Sequence, residues 1–174
     1  MRDPERDPLS DPFHDGWRIA PADPGEPGPR ALLTAHLAFV RAISPPESVH
    51  ALDLDALRGP GIVFLALREG DETVAIGALK RPVGDDPSHG EIKSMHLAAA
   101  RRGRGAARAM LRHLVDEARV AGLARLSLET GSTEHFSAAR ALYAANGFEA
   151  CGPFAGYGPD PHSHFMTRAL RTHL

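Results

Sequence analysis

Apolar positions along the chain change their period several times, and each change marks an element. Between residues 31 and 43, Leu32, Leu33, His36, Leu37 and Val40 recur at helical spacing until Pro45-Pro46 stops the pattern, so an amphipathic helix is predicted there. Residues 52–57 predict a second, short helix, and 44–51 a loop carrying Ser48 and His50. After the turn at Gly59-Pro60-Gly61, apolar runs over 62–67 and 73–79 flank Glu69-Gly70-Asp71-Glu72 and predict an antiparallel hairpin. A turn over 84–90 then leads into a strand over 91–98. Leu111, Leu114, Val115 and Ala118 share one face of a predicted helix over 106–121, which Gly122 ends. Residues 123–129 predict a strand, 133–145 a helix closed by Asn146-Gly147, and 148–151 and 164–170 two further strands. Trp17 and Ile19 mark a first strand over 16–20. Consecutive strands followed by strand–helix alternation predict an α/β (α+β) fold: a mixed, mostly antiparallel sheet with helices on both faces.

Composition narrows the picture. A length of 174 residues with 43% hydrophobic content fits one domain with a real core. The longest dense apolar run, 62–67, is far too short to cross a bilayer, so no membrane role is expected. Twenty Lys and Arg against twenty-two Asp and Glu leave a net charge of −2, which argues against generic nucleic-acid binding. The single Cys151 cannot form an internal disulfide, and the first thirty residues lack the apolar stretch of a secretory signal. A cytoplasmic protein is the expectation. Seven of the fifteen prolines fall in those thirty residues, with Asp-Pro at positions 3, 7 and 11, so 1–12 is expected to be a disordered tail and 13–174 the domain.

The segment Arg101-Arg102-Gly103-Arg104-Gly105-Ala106-Ala107-Arg108 lies between a predicted strand and a strong helix. Glycines there let a phosphate approach the backbone, and a helix N-terminus offers unpaired N–H groups at the positive end of its dipole. The chain has no Gly-Lys pair, which excludes the ATP- and GTP-binding loop. Arg108 occupies the place where a dinucleotide fingerprint needs a small residue. Neither motif fits. His162 and His164 alternate on one strand, but no His-Glu-x-x-His or paired-Cys spacing supports a metal, and none is expected. No Gly-x-Ser-x-Gly elbow surrounds Ser132.

Arg102 to Ala107, read as Arg-Gly-x-Gly-x-Ala, resembles the acyl-CoA-binding signature of the GCN5-related N-acetyltransferase superfamily, Arg/Gln-x-x-Gly-x-Gly/Ala. The resemblance extends to Ser94-Met95-His96-Leu97, similar to the family strand that pairs with the pantetheine arm, and to Leu126-Ser127-Leu128-Glu129-Thr130, similar to the strand that splays away from it. Ala139, Leu142-Tyr143 and Asn146-Gly147-Phe148 match a further family pattern. One departure is Phe136, where many relatives carry an asparagine that contacts the cofactor arm.

The resemblance implies an acyltransferase that takes acetyl-CoA as co-substrate and passes the acetyl group directly to a primary amine of a small molecule or peptide terminus. It implies that Arg102, Gly103, Arg104, Gly105, Ala106 and Ala107 hold the pyrophosphate and that Met95, His96 and Leu97 orient the thioester. Glu91 becomes the candidate base, with His50 or a water chain as the alternatives and with Lys93 and Met95 on the same face by strand alternation, and Tyr143 the candidate acid for the leaving thiolate. Each has a plainer reading, Glu91 as a solvated edge charge and Tyr143 as a core residue. Ser48, His50, Tyr157, Asp160 and Ser163 are the candidate acceptor contacts, and a homodimer is expected from the family habit. A non-catalytic acyl-CoA-binding sensor would use the same pocket and stays open at this point.

Overall fold

The computed structural model describes residues 16–170, so the expected tail over 1–12 lies outside the described residues. A hairpin forms its centre. Strands β2 (Ile62–Glu69) and β3 (Glu72–Lys80) turn at Gly70, whose φ of +59° suits a residue without a side chain. Val74 to Leu79 is almost wholly buried because helices cover both faces of β3, which explains why its sequence reads as a continuous apolar run. With β1 (Trp17–Pro21), β4 (His89–Leu97), β5 (Arg125–Gly131), β6 (Glu149–Cys151) and β7 (Ser163–Ala169), the sheet runs β1-β2-β3-β4-β5-β7-β6. Only β4 and β5 pair in parallel.

Helix α3 (Ala106–Val120) lays Ala106, Met110, Leu111, Leu114 and Ala118, all inaccessible to solvent, on one face of the sheet. Each large one contributes about 2 kcal/mol by leaving water. Gly77 permits this approach, since a Cβ there would stand 2.9 Å from Leu114. On the other face α1 (Pro27–Ile43) and α2 (Leu54–Leu57) bring Leu33 and Leu57 onto Phe64, Ile76 and Ala78. The first helix starts four residues earlier than the apolar pattern predicts, because proline is tolerated in a first helical turn. The predicted helix over 133–145 divides into a 3-10 turn, Glu134–Phe136, and α4 (Ser137–Ala145).

Two irregularities in β4 create the site. Its pairing with β5 covers only His89↔Arg125 through Ile92↔Leu128, after which the strands part. On the β3 side the register shifts between Ile76 and Ala78, so Ser94 and Met95 together oppose Gly77 in a bulge, with Ser94 at φ +53°. The bulge overturns one expectation from alternation. Met95 packs with the α3-side core, away from the face that carries Glu91 and Lys93, while His96 opposes Ile76 and so returns to the α1 side.

Candidate active site

Where β4 and β5 diverge, a cavity of about 680 Å³ opens between them. Ile92 to Leu97 form one bank and Leu128 to Gly131 the other; Arg102, Gly103 and Ala107 close one end, and His36 and Phe39 of α1 lean over the slot. The edge of β4 beyond Ile92 has no strand beside it on the β5 side, so its backbone faces the gap. Ser94 Oγ, buried in the same wall, has no hydrogen-bond partner among the described residues.

The glycine turn is built for close approach. Gly103 and Gly105 adopt φ of +79° and +86°, and a Cβ on either would meet nothing within 4 Å. Gly105 is the N-cap of α3, and the first helical bond runs from the Ala109 N–H to the Gly105 carbonyl, so the amides of Ala106 and Ala107 precede it at the positive end of the helix. The predicted residues divide by location. Arg102, Gly103 and Ala107 line the cavity, whereas the Ala106 methyl is wholly buried in the core and can serve only through its backbone. Arg104 reaches Glu69 at 3.3 Å, and Arg101 pairs with Glu69 and Glu72 on the hairpin. Met95, His96 and Leu97 all line the slot. The His96 ring meets that of His36 at 5.3 Å, and burial, then the Arg102 charge, holds it below the usual imidazole range. Burial, then His96 and Lys93, drives His36 down to about 4, so it is neutral at pH 7.

The other end of the slot is a dense polar cluster. Glu91 is 3% exposed; its Oε1 accepts from Lys93 Nζ at 3.2 Å and from Tyr157 Oη at 2.5 Å, and it does not line the cavity. Lys93, which does, also donates to Tyr157 Oη at 2.7 Å and to the His50 carbonyl at 3.0 Å. The His50 ring stands edge-on to Tyr157 with centroids 5.0 Å apart. Asp160 accepts from the His162 amide at 2.8 Å, with Ser48 beside it, and these neighbours hold its carboxyl below the usual range. Of the five candidate acceptor contacts, Ser48 and His50 line the cavity, whereas Tyr157, Asp160 and Ser163 do not, and one further acid does.

That acid is Glu129, which the sequence marks only as part of a strand. It follows Ser127 by two on β5, on the face opposite the buried Leu126 and Leu128, and lines the cavity. Burial pushes its carboxyl up to about 7, with Glu91 and Asp160 adding to the rise and Ser163 and Lys93 opposing it. Tyr143 of α4 also lines the slot, and burial, with a smaller contribution from Glu129, raises its phenol to about 12. Phe136 stacks on Gly131, where a Cβ would come within 2.0 Å of its ring, and meets Phe39 edge-on at 5.5 Å; an apolar wall stands where many relatives carry an amide. Among the described residues, no group of three or more His, Cys, Asp and Glu is placed to hold a metal ion, and no helix is long and apolar enough to cross a membrane.

Comparison with known proteins agrees with this architecture. The model of the Acetyltransferase (GNAT) family matches residues 30–148. The uncharacterized N-acetyltransferase YsnE of Bacillus subtilis is 50% identical over 140 residues, spanning 80% of this chain and 91% of its own. The fold matches a crystal structure described as an acyl-CoA N-acyltransferase from Klebsiella pneumoniae with a TM-score of 0.72 and 29% identity, over 89% of this chain and 98% of that one. It also matches yncA of Salmonella typhimurium, solved with acetyl-CoA, with a TM-score of 0.66 and 20% identity over 91% and 96% of the two chains. A slot between splayed strands, a glycine turn capping a helix at one end and Glu129 with Lys93 at the other accord with that kinship: the chain belongs to the GNAT acetyltransferase family, whose enzymes are acyltransferases using acetyl-CoA as co-substrate.

Proposed function

We propose that the protein transfers the acetyl group of acetyl-CoA to a primary amine, of a small molecule or a peptide terminus, by direct attack within a ternary complex. The observation that carries this reading is the continuity of one cavity from the open glycine turn, past the unpaired β4 edge, to Glu129 and Lys93. The residues fit the co-substrate. Gly103 and Gly105 leave room for a pyrophosphate against the amides of Ala106 and Ala107, Arg102 supplies a charge there, and the free edge over Met95, His96 and Leu97 matches an extended arm carrying amides of its own. Arg104, held by Glu69, contributes to the field rather than by contact. When bound, acetyl-CoA supplies an activated thioester.

The chain supplies proton transfer and placement. An alkylamine has a pKa near ~10 and must lose a proton before it attacks. Glu129, raised to about 7 and facing the cavity, is the base we favour for that step, acting directly or through water. Glu91, the acid singled out from the sequence, lies outside the cavity lining with one oxygen held by Lys93 and Tyr157, and serves to fix that cluster. Tyr143, kept protonated by burial, gives a proton to the departing sulfur as the C–S bond breaks and the C–N bond forms. Backbone donors of the β4 edge near Leu97 polarise the acetyl carbonyl. A thiol-release assay across alkylamines, polyamines, aminoglycosides and peptides tests the reading; acetyl-CoA binding with no amine-dependent CoA release would replace it with a non-catalytic binding role.

A further inference from the structure

The charge pattern around Lys93 restricts the acceptor. Resting on the amine-acetylation reading above, we infer that the acceptor is an amine with no carboxylate beside its reacting nitrogen, an alkylamine or arylalkylamine in preference to an α-amino acid. One acid, Glu129 on β5, lines the reacting end, and two more stand outside the lining close enough to act on it, Glu91 on β4, paired with Lys93, and Asp160 in the loop before β7. The one lysine lining the cavity among the described residues is Lys93, and its ammonium is fully committed. Its three N–H bonds go to Glu91, Tyr157 and the His50 carbonyl, and only 8% of the residue is exposed. It has no donor left for a substrate carboxylate.

Other cations do not fill that role. Arg102 sits in the turn before α3, at the opposite end of the slot. Arg140 gives its NH1 to the Gly131 and Thr133 carbonyls and does not line the cavity. His36 is neutral near pH 7, and His96 is held low by burial. The rest of the wall offers the buried, unpartnered Ser94 Oγ, the imidazoles of His50, His135 and His162, and the apolar or aromatic surfaces of Phe39, Val40 and Phe136, with no lysine or arginine among them. The carboxylate of an α-amino acid lies within about 4 Å of its own nitrogen, so placing that nitrogen at Glu129 brings two like charges together in a partly desolvated site. Discrimination of roughly 10²-fold in kcat/KM against the acid follows from a repulsion of that range.

Matched substrates isolate the charge. Ethylamine against alanine, and tyramine against tyrosine and tyrosine methyl ester, should be compared by CoA release with the full-length protein. The amines are expected to exceed the amino acids by roughly 10²-fold in kcat/KM, and the ester, which keeps the bulk without the charge, to recover most of the loss. Asp160→Asn should narrow the ratio severalfold while the KM for acetyl-CoA stays put. An amino acid turned over within about threefold of its amine, or a ratio that ignores both esterification and Asp160→Asn, would overturn this inference while leaving amine acetylation standing. If no amine in either series or in the broader panel releases CoA, the acetylation reading itself fails and takes this one with it.

Discussion

Glu91 and Glu129 stand on adjacent strands, yet their surroundings push them toward different chemistry. Glu91 has two donors on one oxygen, Lys93 and Tyr157, and stands outside the cavity lining, away from an incoming amine. Glu129 borders the cavity, where burial outweighs Lys93 and keeps the carboxyl near neutrality, the range a base needs. Glu129→Gln is therefore expected to lower kcat/KM by roughly 10²-fold and to erase the acidic limb of the pH–rate profile, which for the wild type should centre near the pKa of about 7. Glu91→Gln leaves Lys93 buried without its counter-charge, so it should lower unfolding stability by about 3 kcal/mol while keeping that limb. A profile flattened by Glu91→Gln and untouched by Glu129→Gln would reverse the two roles. Tyr143→Phe should reduce kcat by roughly 10²-fold with acetyl-CoA affinity, read by calorimetry, unchanged. In the sequence Tyr143 is marked by its position in a motif, and the candidate acceptor contacts only by loops expected to flank the slot. The sequence could not rank the two glutamates, because their difference arises from burial and from Lys93 and Tyr157, which meet Glu91 from β4 itself and from 66 residues away.

Elements were more legible than their irregularities. Hydrophobic period located all seven strands and the main helices, and the glycine turn was visible because two glycines with positive φ must be written as glycine. The bulge at Ser94-Met95 left no such trace: a non-glycine residue takes the left-handed conformation, and the register slip inverts which face Met95 serves. The parting of β4 from β5 is likewise a tertiary event, invisible in either strand alone. At this scale the phosphate turn can be tested directly. Gly105→Glu places a side chain and a negative charge in space now open and strains a residue at φ +86°, so acetyl-CoA binding should vanish at a stability loss of about 1–2 kcal/mol. Calorimetry paired with thermal unfolding checks it; a folded variant with unchanged affinity would remove the pyrophosphate from this turn.

Across the whole molecule, two buried groups give stability opposite pH slopes. His36, lowered from 6.5 to about 4, contributes stability that is present above pH 6.5 and lost as pH falls toward 4. Glu129, raised from 4.5 to about 7, contributes stability that is present below pH 4.5 and lost as pH rises through 7. Glu129→Gln removes the second slope, so its unfolding free energy should match the wild type near pH 4 and exceed it by about 2 kcal/mol at pH 8, allowing for partial solvent screening. Such a gain would mark the acid as held in a strained ionisation state for function.

Acetyl transfer is read outright by steady-state CoA release with acetyl-CoA and an amine such as tyramine, with the acetylated amine quantified by mass spectrometry in the same reaction. Acetylated product is expected in equal amount to released CoA, dependent on both substrates and reduced roughly 10²-fold in Glu129→Gln. Tight acetyl-CoA binding with no acetylated product from any amine, in wild type and variant alike, would contradict acetyl transfer.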